Sequence, residues 1–257
     1  QLATDDTGKQ AQFIADFKRQ MEKQGTPLIE SSDTPKHKRV TFLWFGARHN
    51  VILWGGPTAD HTLLQRLPHS DIWFTTFDIP DDTFLSYGFA PDVPTLPLDN
   101  TVQRRALLAT LQKDPLNPHT YPPKSAVKNS DKFNLSSTLQ LANAPKSDYL
   151  QTKNVSHGTL QFHDFHSKLL NNSRRIELYT PPNFKPQGQN VNLLFFFDGT
   201  DYLTKVPTPT ILDNMQAIGK IAPTVAVFID NPSYKTRAAE LPPNPKFAKM
   251  LAEELYP

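Results

Sequence analysis

The sequence predicts a two-part chain: a helix and an antiparallel β-sandwich, followed by the opening half of a doubly wound α/β domain. Three observations carry this. Between Val40 and Ala90, short runs with partial apolar alternation are separated by turn signals at intervals of about ten residues, the spacing of a small sandwich. Further on, Val191–Phe197 and Thr224–Asp230 are strand-length apolar runs, the first leading into Asp198-Gly199-Thr200-Asp201. Finally, Pro245 to Leu255 has a helical pattern, so the last third reads strand, loop, helix, strand, helix.

Taken in order, Lys9 to Lys23 places Phe13, Phe17 and Met21 four residues apart, with Ile14 beside them, on a charged background. Gly25 and Pro27 stand where a helix ends. The sandwich strands are Val40–Phe45, Asn50–Trp54 (closed by Gly55-Gly56-Pro57), Asp71–Phe77 and Thr83–Ala90. A helix over Asn100–Lys113 is broken by Asp114-Pro115-Leu116-Asn117-Pro118, and a long polar stretch rich in Pro, Asn, Ser and Lys follows. Strands return at Thr159–Lys168 and Arg174–Thr180. The expected organisation is an N-terminal helix over 1–30, a sandwich over 31–118, a linker over 119–157 and the α/β part over 158–257.

Composition narrows the function. With 27 basic and 25 acidic residues well mixed, the net charge of +2 gives no basic footprint for nucleic acid. The absence of cysteine excludes disulfides, thiolate metal sites and a cysteine nucleophile. No apolar run approaches the length of a membrane span. The chain begins at Gln1 rather than Met, so the numbering does not start at an initiator residue. His163 and His166 lie three apart on a predicted strand and face opposite sides, which argues against a shared metal ion. Gly55-Gly56-Pro57 lacks the Gly-Lys-Ser/Thr of a phosphate loop. The tryptophans Trp44, Trp54 and Trp73 suit a sandwich core, while Tyr121, placed in a loop, is freer to meet a ligand.

A strand running into Asp-Gly is by itself the signal of a plain turn; it also suits the oxyanion loop of an acyl-transfer enzyme, because glycine permits a sharp turn that aims a backbone N–H at a developing charge. Such enzymes carry their nucleophile on a Gly-x-Ser-x-Gly elbow, and no serine in this sequence has that setting. Five stretches then identify a likeness: Asp71-Ile72-Trp73 with Tyr87 and Pro91-Asp92; Asp114-Pro115-Leu116-Asn117-Pro118; Asn172-Ser173-Arg174-Arg175 with Tyr179-Thr180; Phe197-Asp198-Gly199; and Phe228-Ile229-Asp230 with Arg237-Ala238-Ala239-Glu240-Leu241, Asn244, Phe247 and Glu254-Leu255. In order and spacing these resemble the enterochelin esterases, which cut the trilactone of ferric catecholate siderophores.

The resemblance implies an immunoglobulin-like (early-set) sandwich followed by an α/β-hydrolase domain with a Ser–His–acid triad. It implies Gly199 and Thr200 as oxyanion loop, Arg237 and Glu240 as substrate-binding residues on a segment bordering the active site, and no catalytic residue within this chain, since the nucleophile and histidine would follow Pro257. Asp198 joins the substrate-binding candidates by its place at a strand's carboxyl end. Arg237 suits an anionic tris-catecholate, and an exposed pair with Glu240 three residues on is the structural alternative. Asp198 and Asp230 end adjacent strands where α/β ligands bind, although capping would also explain Asp230. No cofactor is expected, iron arriving only with the substrate. The expected partners are a ferric siderophore or other small ester and the missing C-terminal half of the hydrolase domain, with no nucleic acid and no membrane span. The expected compartment is the cytoplasm, with the periplasm as alternative. Two other readings are a feruloyl or acetyl carbohydrate esterase and a non-catalytic binding fragment. A hydrolase sheet cut here would expose an apolar edge, so the 257-residue piece is expected to be inactive and unstable alone.

Overall fold

The computed structural model describes residues 7–58, 60–94, 100–122, 135–146, 148–185 and 190–257. Two compact units divide between Lys146 and Ser147.

The first unit opens with α1 (Thr7–Gln24), whose Met21 is fully buried. Its strands are β1 (Leu28–Ser31), β2 (His37–Phe45), β3 (Val51–Gly55), β4 (Asp60–Leu63), β5 (Gln65–Arg66), β6 (Ile72–Pro80) and β7 (Phe84–Pro91), then α2 (Asn100–Thr110), β8 (Thr120–Tyr121) and β9 (Ser136–Gln140). They form a four-stranded sheet in the order β1-β2-β6-β5 and a five-stranded sheet in the order β4-β3-β7-β9-β8, all antiparallel. Alternate residues of both sheets, among them Val40, Phe42, Val51, Leu53, Trp73, Tyr87, Phe89 and Leu139, share one apolar core. Period-two alternation produces this: one face of each sheet is apolar and the two faces bury each other. Met21, Leu43 and Ile72 seat α1, and Ala90, Val93 and Leu107 seat α2.

Residues 120–121 and 136–140, expected within a linker, instead form β8 and β9 of the five-stranded sheet. The helix-breaking segment 114–118 is also structural. Asp114 and Asn117 are buried; Asp114 accepts hydrogen bonds from Thr26 and Tyr87 (2.8 Å each), and Asn117 donates to Tyr87 and to the carbonyl of Thr138 (2.9 Å each). Ser137 on β9 accepts from the Asp114 amide at 2.9 Å. Polar residues thus fill the space between loop and sheet, satisfying one another as buried polar groups must.

The second unit contains β10 (Thr159–Ser167), β11 (Asn172–Thr180), β12 (Asn192–Phe197), α3 (Gly199–Thr204), α4 (Thr208–Ala217), β13 (Thr224–Ile229), α5 (Tyr234–Glu240) and α6 (Pro245–Met250), followed by a π-helical turn over Leu251–Leu255. The sheet order is β10-β11-β13-β12, with β12 and β13 parallel and the other pairs antiparallel. A parallel pair needs a crossover, which α3 and α4 supply. One face of the sheet packs through Tyr179, Ala226 and Phe228 onto Leu203 and Leu212; the other packs through Ile176, Val227 and Ile229 onto Leu251 and Leu255. Among the described residues no helix is long and apolar enough to cross a membrane.

Candidate functional site

The parallel strands β12 and β13 end side by side, Phe197 opposite Ile229. Asp198 follows β12 with φ 58°, the left-handed region that non-glycine residues rarely occupy. This reverses the chain directly into α3. Gly199 is buried, and a Cβ there would lie 2.8 Å from the Ile229 nitrogen and the Phe228 carbonyl carbon. Only glycine allows the turn to rest on the backbone of β13.

Two carboxylates tie this turn across the strand ends. Asp198 receives a fork from Arg237: Nε donates to Oδ1 and Nη2 to Oδ2, both at 2.7 Å. Asn231 Nδ2 donates to Asp198 Oδ1 at 2.6 Å. In the opposite direction, Asp230 Oδ1 accepts from the Thr200 amide at 2.6 Å and Oδ2 from the Thr200 hydroxyl at 2.5 Å. Asp198 stands at the N-cap position of α3 but makes no side-chain cap bond. Asp230 performs that capping from the neighbouring strand. The guanidinium beside Asp198 holds its carboxyl below the usual carboxylate range. Arg237 itself lies on α5, whose start is fixed by a reciprocal capping box between Ser233 and Thr236.

Asp198, Gly199, Thr200 and Arg237 therefore come together at the C-terminal ends of the parallel strands. Glu240 does not join them. Its side chain is only 7% exposed; Oε1 accepts from Asn172 Nδ2 at 2.7 Å and Oε2 from Arg174 Nη2 at 2.9 Å. The Arg174 guanidinium is wholly buried and lies over the Phe247 ring, 5.5 Å from its centre. Glu240 neutralises a buried cation, so the expectation that it meets substrate is corrected, and so is the alternative that it pairs with Arg237.

Tyr121 lies in the first unit, on β8, with 40% of its surface exposed. His163 and His166 are exposed on β10; His166 bonds Ser173 at 2.9 Å. Among the described residues no cluster of three or more His, Cys, Asp or Glu is placed to hold a metal ion. Trp73 is buried in the sandwich core, with Trp44 packed against it.

Sequence reasoning missed Asn231, whose link to Asp198 spans 33 positions. It also missed a hydrogen-bonded cluster at the opposite ends of the strands, in which Asp213 and Tyr179 are buried and His157 is half exposed. There Asp213 on α4 accepts from Tyr179 (2.6 Å) and from the Gly158 amide (2.8 Å), and it pairs with His157 Nδ1 (2.9 Å). Burial and the Asp213 carboxylate push the Tyr179 phenol up. Tyr179, part of the Tyr179-Thr180 stretch, was the one residue of this cluster that the sequence singled out.

Known proteins bear on this geometry. Residues 39–150 match the family described as "Enterochelin esterase, N-terminal", and residues 167–257 match the family described as "Putative esterase". An iron(III) enterobactin esterase of Yersinia enterocolitica is 31% identical, over 93% of this chain and 74% of its own length. That of Dickeya dadantii (strain 3937) is 29% identical, over 93% of this chain and 59% of its own length. The crystal structure of ferric enterobactin esterase from Salmonella typhimurium shares the fold with a TM-score of 0.67 at 22% identity, covering 94% of this chain and 64% of that one. The enterobactin esterase of Shigella flexneri, solved in the presence of enterobactin, gives 0.64 at 23% identity, covering 93% of this chain and 64% of that one. The chain thus spans from about three fifths to three quarters of the length of these relatives.

Proposed function

The chain belongs to the family of iron(III) enterobactin esterases, and from that membership we propose that the protein it represents hydrolyses the backbone esters of a ferric catecholate siderophore. The observation that carries the reading is the order of the two family matches, an enterochelin-esterase N-terminal part followed by an esterase part, along a chain that also aligns with one relative over 93% of its length. The site agrees in kind: a glycine turn at the carboxyl ends of parallel strands, with a half-exposed guanidinium beside it.

In this reading the reaction is acyl transfer. A serine attacks an ester carbonyl, an oxyanion hole receives the developing charge, and water then releases the acyl group. The Gly199 loop supplies part of the oxyanion hole. Arg237, whose Nη1 has no partner among the described residues, faces the anionic substrate. The first unit is an immunoglobulin-like early-set module. No serine here lies in Gly-x-Ser-x-Gly, so the nucleophile is assigned to no residue of this chain and the 257-residue polypeptide alone is inactive.

The test offers ferric enterobactin to the full-length protein and to the 257-residue polypeptide, following linear products by chromatography. Cleavage by the first and not the second is expected. Failure of the full-length protein to open the trilactone, while it turns over a simple acyl ester, would remove the substrate assignment. Turnover by the short polypeptide would place the nucleophile within it.

A further inference from the structure

The two carboxylates at the strand ends bind in opposite directions. Asp198, ending β12, reaches forward to Asn231 and Arg237, which follow β13; Asp230, following β13, reaches back to Thr200, which follows β12. Together they make five hydrogen bonds of 2.5–2.7 Å across one turn. We propose that this crossed latch is a positioning device: Asp198 and Asp230 set the Gly199 turn of the oxyanion loop and do not contact substrate. The inference rests on the esterase reading above.

Three features argue for positioning over substrate contact. Both Asp198 oxygens are occupied by the Arg237 fork, a bidentate geometry that fixes direction as well as distance. Asp198 holds a left-handed backbone conformation, which persists where surrounding contacts enforce it. The Thr200 amide is taken by Asp230, so Thr200 anchors the loop and Gly199 is left as the loop's donor to an oxyanion. Gly199 rests on β13 with no room for a Cβ, so any slackening of the latch moves this amide relative to the sheet. A displacement of about 1 Å at a reacting centre costs on the order of 100-fold in rate.

An oxyanion hole serves every ester alike, whereas a substrate contact serves only the ligand it touches. The experiment therefore measures full-length Asp198→Asn and Asp230→Asn proteins on two substrates, ferric enterobactin and a small uncharged acyl ester. For both, kcat is expected to fall about 10- to 100-fold with KM within about twofold of the parent. Asp198→Asn combined with Arg237→Gln is expected to be no slower on the uncharged ester than either change alone, because the two residues act as one unit. Circular dichroism and the thermal midpoint establish that each variant is folded. If Asp198→Asn raises KM for ferric enterobactin and leaves the uncharged ester untouched, Asp198 is a substrate contact and the proposal is overturned. If the parent ignores ferric enterobactin but cleaves the uncharged ester, the siderophore assignment fails, and the uncharged-ester measurements still decide the latch.

Discussion

Asp198 shows how much a single residue can disclose and how much it withholds. A strand that runs into Asp-Gly signals a turn at a strand's carboxyl end, and that much was readable. The sequence could not show where the carboxylate goes, because its partners lie 33 and 39 positions away. Its ion pair sets a definite pH dependence. Arg237 is the leading cause of the lowered Asp198 pKa. A carboxyl with a depressed folded pKa adds stability above its unfolded value, about 3.9, and loses that contribution as pH falls through the folded value. The latch therefore stays closed through neutral and mildly acidic solution. In urea titrations, Asp198→Asn is expected to be less stable than the parent by a near-constant margin from about pH 5 to 8, the gap closing below about pH 4. A gap that closed already near pH 6 would point to a histidine as the controlling group.

Among the elements, legibility followed apolar periodicity. Four strands of the sandwich, β2, β3, β6 and β7, and both parallel strands were visible because aliphatic and aromatic residues fill them, whereas the short β1, β4, β5 and β8 carry no such run. β9 was not visible, because its buried Ser137 is polar for a reason located at Asp114, 23 positions earlier. α5 and α6 are short, and their place depends on a contact no local pattern encodes. Glu240, at the end of α5, and Phe247, on α6, enclose the Arg174 guanidinium of β11, 66 positions from Glu240. Glu254 in the terminal π turn adds a second tie, accepting from the Ser167 hydroxyl at 2.6 Å and from the amides of Lys168 and Leu169 at 3.1 Å each. Both ties dock the C-terminal helices on the β10–β11 hairpin. Removing one partner of a buried ion pair strands the other charge, at a cost of about 3–5 kcal/mol. Glu240→Ala is expected to lose this much in chemical denaturation. Arg174→Met with Glu240→Leu is expected to recover most of it, since apolar replacement of both partners removes the charge along with its neutraliser. A double variant as weak as Glu240→Ala would mean that the pair contributes more than neutralisation.

Across the whole molecule, the two units differ in how they finish their sheets. In the first unit the apolar faces of two antiparallel sheets cover one another, and short strands such as β5 and β8 stand at the margins. In the second, the outer edge of β12 has no strand beside it among the described residues, and Leu193, Leu194 and Phe197 are each 38–39% exposed. A parallel strand is ordinarily buried on both sides and carries no polar residue to discourage pairing. Its apolar sequence, legible from the start, is suited to an interior position, and the structure sets it at a margin. Free backbone groups beside exposed leucines form a template for another strand. The 29.0 kDa polypeptide is therefore expected to self-associate, its sedimentation coefficient rising with concentration. Leu194→Lys places a charge next to the open edge and is expected to suppress this association, whereas the same change at Leu63, exposed on β4 of the first unit, is expected to leave it intact. Should the parent sediment as a monomer at every concentration and melt in one cooperative transition, the β12 margin would be tolerated as it stands; should Leu63→Lys be the change that disperses the protein, the association would belong to the sandwich.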